Sequence, residues 1–441
     1  MLEAKEWKPV LTESFHPIQY ASQIAAEILG KDVSQHRTFS KSVPGWRWPL
    51  WGVALEQMAE DKDAEFKRLR VFGEDYCREG PPNYQMVQVG IGKTRAILGH
   101  CSVIMQKRKE KFILGIAPYP QSIRVEVVAN ESQKGLVEDF FSTVDKYIDK
   151  NNFYRGQKIS PTRKFLNLSD ISEADLILPA DIKRELFRNV RQMVEKWGDY
   201  ARFGIPGKRG IILAGPPGCG KSLCAKVLAK SLDCTFIWCA PQDISELGFT
   251  HIYDFARELA PAVVLLEDAD VFGMDRRING FNPRLGEFLN VLDGIVENKG
   301  VITLLTSNYV EVLDSALTHR PGRFDTKIIV GCPGPNEAFE ILRRSLEKRK
   351  VVYVGDPGFL KSAANKLAES HASGAYIVEA VNYAMMLAVE NGHGGDDLRM
   401  DVNDLKVAVE RTLAVLAVTE EMTKRVAAEG IYKYCSWSED K

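Results

Sequence analysis

Along the middle of the chain, short apolar runs alternate with stretches in which apolar residues recur every three or four positions. "IILAG", "CTFIWCA", "AVVLLED" and "GVITLLTSN" have the density of buried strands. "KSLCAKVLAKSL", "HIYDFARELA" and "LGEFLNVLDGI" between them have helical spacing. Strands separated by helices predict βαβ units and a parallel sheet. Just upstream, "DIKRELFRNVRQMVEKW" (181 to 197) puts Ile182, Leu186, Val190, Met193 and Trp197 on one helical stripe, and "FGIPGKRG" links it to the first strand.

The pattern changes at both ends. From about 335 onward it reads as all-helical. Between about 84 and 129, "NYQMVQVG", "TRAILGHCSVIMQ", "KFILGIAPY" and "SIRVEVVAN" read as strands broken by Gly, Pro and charged turns. "GLVEDFFSTVDKYIDKNN" then turns helical, and the first 60 residues begin polar and helix-like before "GWRWPLW" (45 to 51), whose clustered tryptophans predict a local core. The reading is a mixed, mostly β amino-terminal domain (1–160), an α/β core (165–333) and a helical subdomain with a tail (334–441).

Composition narrows the class. Of 441 residues, 45% are apolar and 27% charged, which is globular. Lys plus Arg (58) nearly cancels Asp plus Glu (59), so no global field favours nucleic acid. The basic runs "QKRKEK" and "EKRK" read as solvated faces. No apolar run reaches the roughly 20 residues of a membrane helix, and the start lacks a signal-peptide pattern, so a cytoplasmic protein without a transmembrane segment is expected. The eight cysteines form no CxxC pair, and four fall between 219 and 239, which suits a reducing compartment.

The chemistry concentrates in the core. "GPPGCGKS" completes GxxxxGK[ST] between a strand and a helix: Gly215, Pro216, Pro217, Gly218, Cys219, Gly220, Lys221, Ser222, followed by Leu223. Such a loop aims backbone N–H groups at phosphates. Lys221 would meet the β- and γ-phosphates, and the Ser222 hydroxyl would ligate Mg²⁺. "GIGKT" (90 to 94) only mimics this, because Val87 stands where the pattern needs glycine. Hydrolysis needs a carboxylate at a buried strand end. "AVVLLED" supplies Glu267 on the magnesium side and Asp268 as general base. Asn308 tips the next strand, and "DSALTHRPGRFD" carries Arg320 and Arg323, placed to serve phosphoryl transfer in a neighbouring subunit.

Together "GPPGCGKS", "VVLLED", "TSN…DSALTHRPGRFD" and "SGAYI" resemble the AAA family of ATPases in order and spacing over about residues 165–415. The resemblance implies a P-loop αβα core with a helical lid, ATP and Mg²⁺ as ligands, and a homo-oligomeric ring, commonly a hexamer, that hydrolyses ATP at subunit interfaces. It makes Asn308 the sensor and Arg320 and Arg323 trans-acting arginine fingers. Gly374 and Ala375 approach the nucleotide from the lid, with Leu178 and Ile341 beside the adenine. Three features depart from the common pattern. The Glu267–Asp268 order is similar to the branch containing the mitochondrial translocase of the Rieske iron–sulfur protein. "PQDISELGFT" (241 to 250) puts Phe249 after its glycine rather than before it, unlike a threading pore loop. Tyr376 stands where many members have Asp.

The leading expectation is an ATP-hydrolysing ring that remodels a protein or complex chosen by the amino-terminal domain. An ATP-gated scaffold with vestigial hydrolysis is the alternative. A nucleic-acid motor, with Arg276, Arg277 and Arg284 as its contacts, is disfavoured by the balanced charge.

Overall fold

The structure is a computed structural model. It describes residues 25–61, 63–75, 78–118, 122–203, 208–274, 282–293, 298–318, 322–392 and 398–428. The chain divides into two compact units, 1–154 and 155–441.

In the first unit, strands β1 (His36–Pro44), β2 (Lys67–Asp75), β3 (Arg78–Gly80), β6 (Cys101–Lys107), β7 (Glu110–Pro118) and β8 (Ser122–Asn130) form an antiparallel sheet in the order β1-β8-β7-β6-β2-β3. β4 (Tyr84–Gly90) and β5 (Lys93–Leu98) form a separate hairpin. Helices α1 (Trp48–Glu60) and α2 (Lys134–Asn151) share one aromatic core, in which Phe66, Phe112 and Phe140 meet edge to face at 5.1–6.1 Å. Trp51 closes it against Phe141 at 6.2 Å. Trp46 and Trp51 are buried, so the tryptophan cluster is core, although it opens a helix instead of lying under a loop.

The sheet departs from the sequence reading in β1, β2 and β3, which all precede residue 84, and in one break further on. β1, "HRTFSKSVP", is an edge strand left mostly open to solvent, and its polar composition hides it. "TRAILGHCSVIMQ" breaks between Leu98 and Cys101 into strands of two different sheets. The "GIGKT" decoy is the turn of the β4–β5 hairpin. "QKRKEK" caps the β6–β7 hairpin, where residues 108–110 are exposed.

In the second unit, β9 (Lys158–Ile159), β10 (Lys208–Ala214), β11 (Thr235–Cys239), β12 (Ala262–Leu266), β13 (Val301–Ser307) and β14 (Thr326–Ile329) pair in parallel, in the order β14-β10-β13-β12-β11-β9. Residues 155–164, which the sequence reading leaves outside the core, thus supply an edge strand. Every β12 residue is buried, as a strand covered on both faces must be. Helices α3 (Ala180–Glu195), α4 (Lys221–Ser231), α5 (Pro241–Glu258) and α6 (Pro283–Asp293) belong to this layer. Leu186, Val190 and Met193 of α3 are buried, while Ile182 and Trp197 pack partly exposed on the same core.

The helical subdomain comprises α7 (Pro335–Lys348), α8 (Pro357–Glu369), α9 (Gly374–Glu390) and α10 (Val402–Ala428). It is not wholly helical. β15 (Val352–Val354) pairs in parallel with β16 (Arg399–Asp401), strands too short to leave a periodic signal. Tyr376 packs half-buried on the core of this subdomain.

"PQDISELGFT" is not a loop. It lies inside α5, which kinks at Gly248 (φ 75°). The kink turns Phe249 inward to stack on Phe288 at 4.5 Å and to meet Phe272 at 5.2 Å, with its side chain fully buried. No helix among the described residues is long and apolar enough to cross a membrane.

Candidate functional site

Parallel strands end along one rim, and here β10, β12 and β13 bring their carboxyl ends together. The loop leaving β10 needs its glycines for space. A Cβ on Gly215 (φ 152°) would stand 2.0 Å from the Val330 carbonyl oxygen, and one on Gly218 (φ 79°) 2.6 Å from Ser373 Oγ. Pro216 and Pro217 carry the chain over the turn, and Gly220 caps α4, whose free N–H groups face an anion at such a loop.

Lys221 opens α4 and is only 7% exposed. Its Nζ donates to the Gly215 and Pro216 carbonyls at 2.7 and 2.9 Å and to Asn308 Oδ1 at 2.7 Å. Burial pushes this ammonium below the usual lysine range, while Asp270 and Asp268 pull the other way. A phosphate in place of the carbonyls would favour the charged ammonium further.

Ser222 Oγ donates to Glu267 Oε1 at 3.0 Å. A hydroxyl and one carboxylate are hard oxygen donors that suit Mg²⁺, which takes one or two protein ligands and completes its shell with phosphate and water. No group of three or more His, Cys, Asp or Glu that could cage a metal occurs among the described residues.

The second oxygen of Glu267 accepts from Trp238 Nε1 at 2.8 Å. The extra methylene of glutamate lets one carboxylate reach both partners. Asp268 is exposed in the left-handed region (φ 49°), and its N–H donates to Thr306 Oγ1 at 3.1 Å. Its carboxylate can therefore face solvent water.

Asn308 is fixed by a residue that the sequence reading misses. Asp270 Oδ2 accepts the Asn308 N–H at 2.8 Å, and its Oδ1 accepts the Ser307 hydroxyl at 2.5 Å. The available signal was a third acid in "LEDAD" opposite a serine in "TSN". Trp238 gave none, because an indole in "CTFIWCA" reads as core.

The arginines divide. Arg320 lies outside the described residues, as do Arg276 and Arg277. Arg323 is 5% exposed and tied within its own chain. Its Nε donates to Asp293 Oδ1 and Oδ2 at 3.2 and 3.1 Å, its Nη2 to Oδ2, and its Nη1 to the Ala316 carbonyl. Within the chain, then, the Arg323 guanidinium is held by Asp293 and the Ala316 carbonyl. Arg284 pairs with Glu287 and donates to the Ser245 carbonyl.

Beside the loop opens a cavity of ≈ 610 Å³, lined by Leu178, Gly218, Cys219, Gly220, Leu223, Ile341, Gly374 and Ala375. The volume suits a nucleotide-sized ligand. The Ala375 N–H donates to the Gly218 carbonyl at 3.0 Å, which docks α9 directly on the phosphate loop. The helical subdomain therefore feels the loop through the backbone.

Residues 211–332 match the family model described as "ATPase family associated with various cellular activities (AAA)". The chain is 32% identical over 194 residues to the ATPase family gene 2 protein of Saccharomyces cerevisiae, covering 42% of this chain and 25% of that one. It is 31% identical over 232 residues to the ATP-dependent zinc metalloprotease FtsH 2 of Salinibacter ruber (50% and 33%). To the nuclear valosin-containing protein-like protein of Mus musculus it is 25% identical over 285 residues (60% and 33%). It thus spans a quarter to a third of the length of these relatives. Residues 211–332 form an AAA ATPase domain.

Proposed function

We propose that this chain binds ATP between its α/β core and its helical lid, hydrolyses it, and uses the cycle in a homo-oligomeric ring to remodel a protein or complex. The observation that carries this reading is the pairing of Lys221 with Asn308 and of Ser222 with Glu267, two hydrogen bonds that tie the phosphate loop to the ends of β13 and β12. Lys221 holds the β- and γ-phosphates and Asn308 orients the γ-phosphate. Asp268 takes a proton from the attacking water, which displaces ADP from the γ-phosphorus. Mg²⁺ on Ser222 and Glu267 would neutralise charge on the phosphate oxygens.

Arg320 is assigned as the arginine supplied across the subunit interface, and Arg323 as the anchor of the segment that carries it. Buried Phe249 leaves α5 without an aromatic for gripping a threaded chain, which favours remodelling without threading through that segment. The first unit is assigned to choosing the target. The free thiols among the described residues favour a reducing compartment such as the cytoplasm.

The test is steady-state ATP turnover against protein concentration, with mass measured with and without ATP. Specific activity that rises as a ring forms supports the proposal. ATP-driven assembly without turnover would replace it with a nucleotide-gated scaffold.

A further inference from the structure

Two thiols meet at the phosphate loop from distant parts of the chain. Cys219 Sγ lies 3.6 Å from Cys332 Sγ, and neither belongs to a disulfide. Cys219 lines the nucleotide cavity, whereas Cys332 stands half-buried just after β14. We propose that Cys219 and Cys332 form an oxidisable pair through which a hydroperoxide closes the phosphate loop to nucleotide.

The chemistry needs one nucleophilic thiolate and one resolving thiol. The two thiols share a hydrogen bond, which holds the Cys332 thiol below the usual cysteine range and pushes that of Cys219 up. The Cys332 thiolate attacks one oxygen of hydrogen peroxide, the O–O bond breaks, and hydroxide leaves to take up a proton as water. The resulting sulfenic acid is then attacked by Cys219 sulfur. A disulfide forms, and the sulfenic oxygen leaves as a second water after taking the Cys219 proton. Peroxide is the oxidant, and two thiols lose two electrons. A dithiol reverses the step by exchange.

Other cysteines near the loop lack this arrangement. Cys224 and Cys234 are buried, with their thiols pushed up to about 12 and about 11 by desolvation, and fully buried Cys239 is pushed up as well. The pair is thus the preferred target in this part of the chain.

The consequence follows from where the two residues are tied. Val330, two residues before Cys332, donates its N–H to the Ala214 carbonyl at 2.7 Å, and its carbonyl packs against Gly215. The base of the loop and the end of β14 are therefore already fixed together. A covalent bond from Cys219 to Cys332 ties the crest of the loop to the same strand end. Lys221 stays on the Gly215 and Pro216 carbonyls, and the loop cannot wrap a phosphate. This effect on binding rests on the nucleotide site proposed above; formation of the cross-link does not.

The experiment treats the full chain with hydrogen peroxide, blocks free thiols, and maps peptides by mass spectrometry. Binding of a fluorescent N-methylanthraniloyl ATP is followed in parallel for wild type, Cys332→Ser and Cys332→Ala. The expected result is a Cys219–Cys332 linked peptide in wild type, with loss of binding that dithiothreitol reverses. Both variants should keep their binding under peroxide. No linked peptide in folded wild type, or equal loss of binding in the variants, overturns the proposal. If untreated wild type binds no nucleotide, the nucleotide reading fails, and the linked peptide alone still decides whether the thiols form a pair.

Discussion

Each unit is built on a six-stranded sheet, and the two sheets place their polar residues in opposite ways. In the parallel sheet every strand runs the same way, so Lys221, Glu267 and Asn308, far apart in sequence, arrive at one rim. In the antiparallel sheet successive strands reverse, so their ends divide between two rims and cannot be pooled. The first arrangement concentrates chemistry. The second builds a stable surface around Phe66, Phe112 and Phe140, with an exposed hairpin that carries Met86 and Ile91.

The strongest way to break this contrast is Lys221→Ala. It should reduce turnover by at least ~10²-fold and remove tight nucleotide binding, read by steady-state assay and titration. Full activity in that variant would mean that phosphate is held elsewhere.

The two arginines of "RPGRFD" give the next effect. Arg320→Ala should lower turnover by about 10³-fold with unchanged thermal stability. Arg323→Ala should instead lower stability by about 2 kcal/mol, less than for a fully enclosed pair because Asp293 remains nearly a third exposed. Paired denaturation and turnover curves separate the two roles.

A smaller change sharpens the account of the acidic strand. Trp238→Phe should cost roughly 10-fold in turnover and raise the Mg²⁺ concentration needed for half-maximal rate, as loss of an outer hydrogen bond to a metal ligand does. In a Glu267→Asp background the effect should vanish, because the shorter side chain cannot reach the indole. At the low end, Lys93→Ala in the "GIGKT" hairpin turn should leave nucleotide binding unchanged.

What the sequence made legible follows the same division. The phosphate loop, the acidic strand and Asn308 are local signals, each a strand end whose composition announces it. Gly218 could be read as a phosphate-loop glycine, but not as the residue on which the backbone of Ala375 docks. Trp238, Asp270 and Asp293 act through partners 29 to 38 residues away, and pairing of that kind leaves no periodic trace. β1 was hidden because an edge strand can be polar. Phe249 was read as an imperfect loop residue because nothing local announces that Gly248 kinks a helix and turns the ring into the core.

The most direct test compares wild type with Asp268→Asn, measuring Mg·ATP affinity by calorimetry and turnover on the same preparation. The account predicts that the variant binds ATP as tightly as wild type while turnover falls by about 10²- to 10⁴-fold, the range expected for removing a general base. Turnover unchanged in a variant that binds normally would contradict it, and the carboxylate at the end of β12 would have no part in hydrolysis.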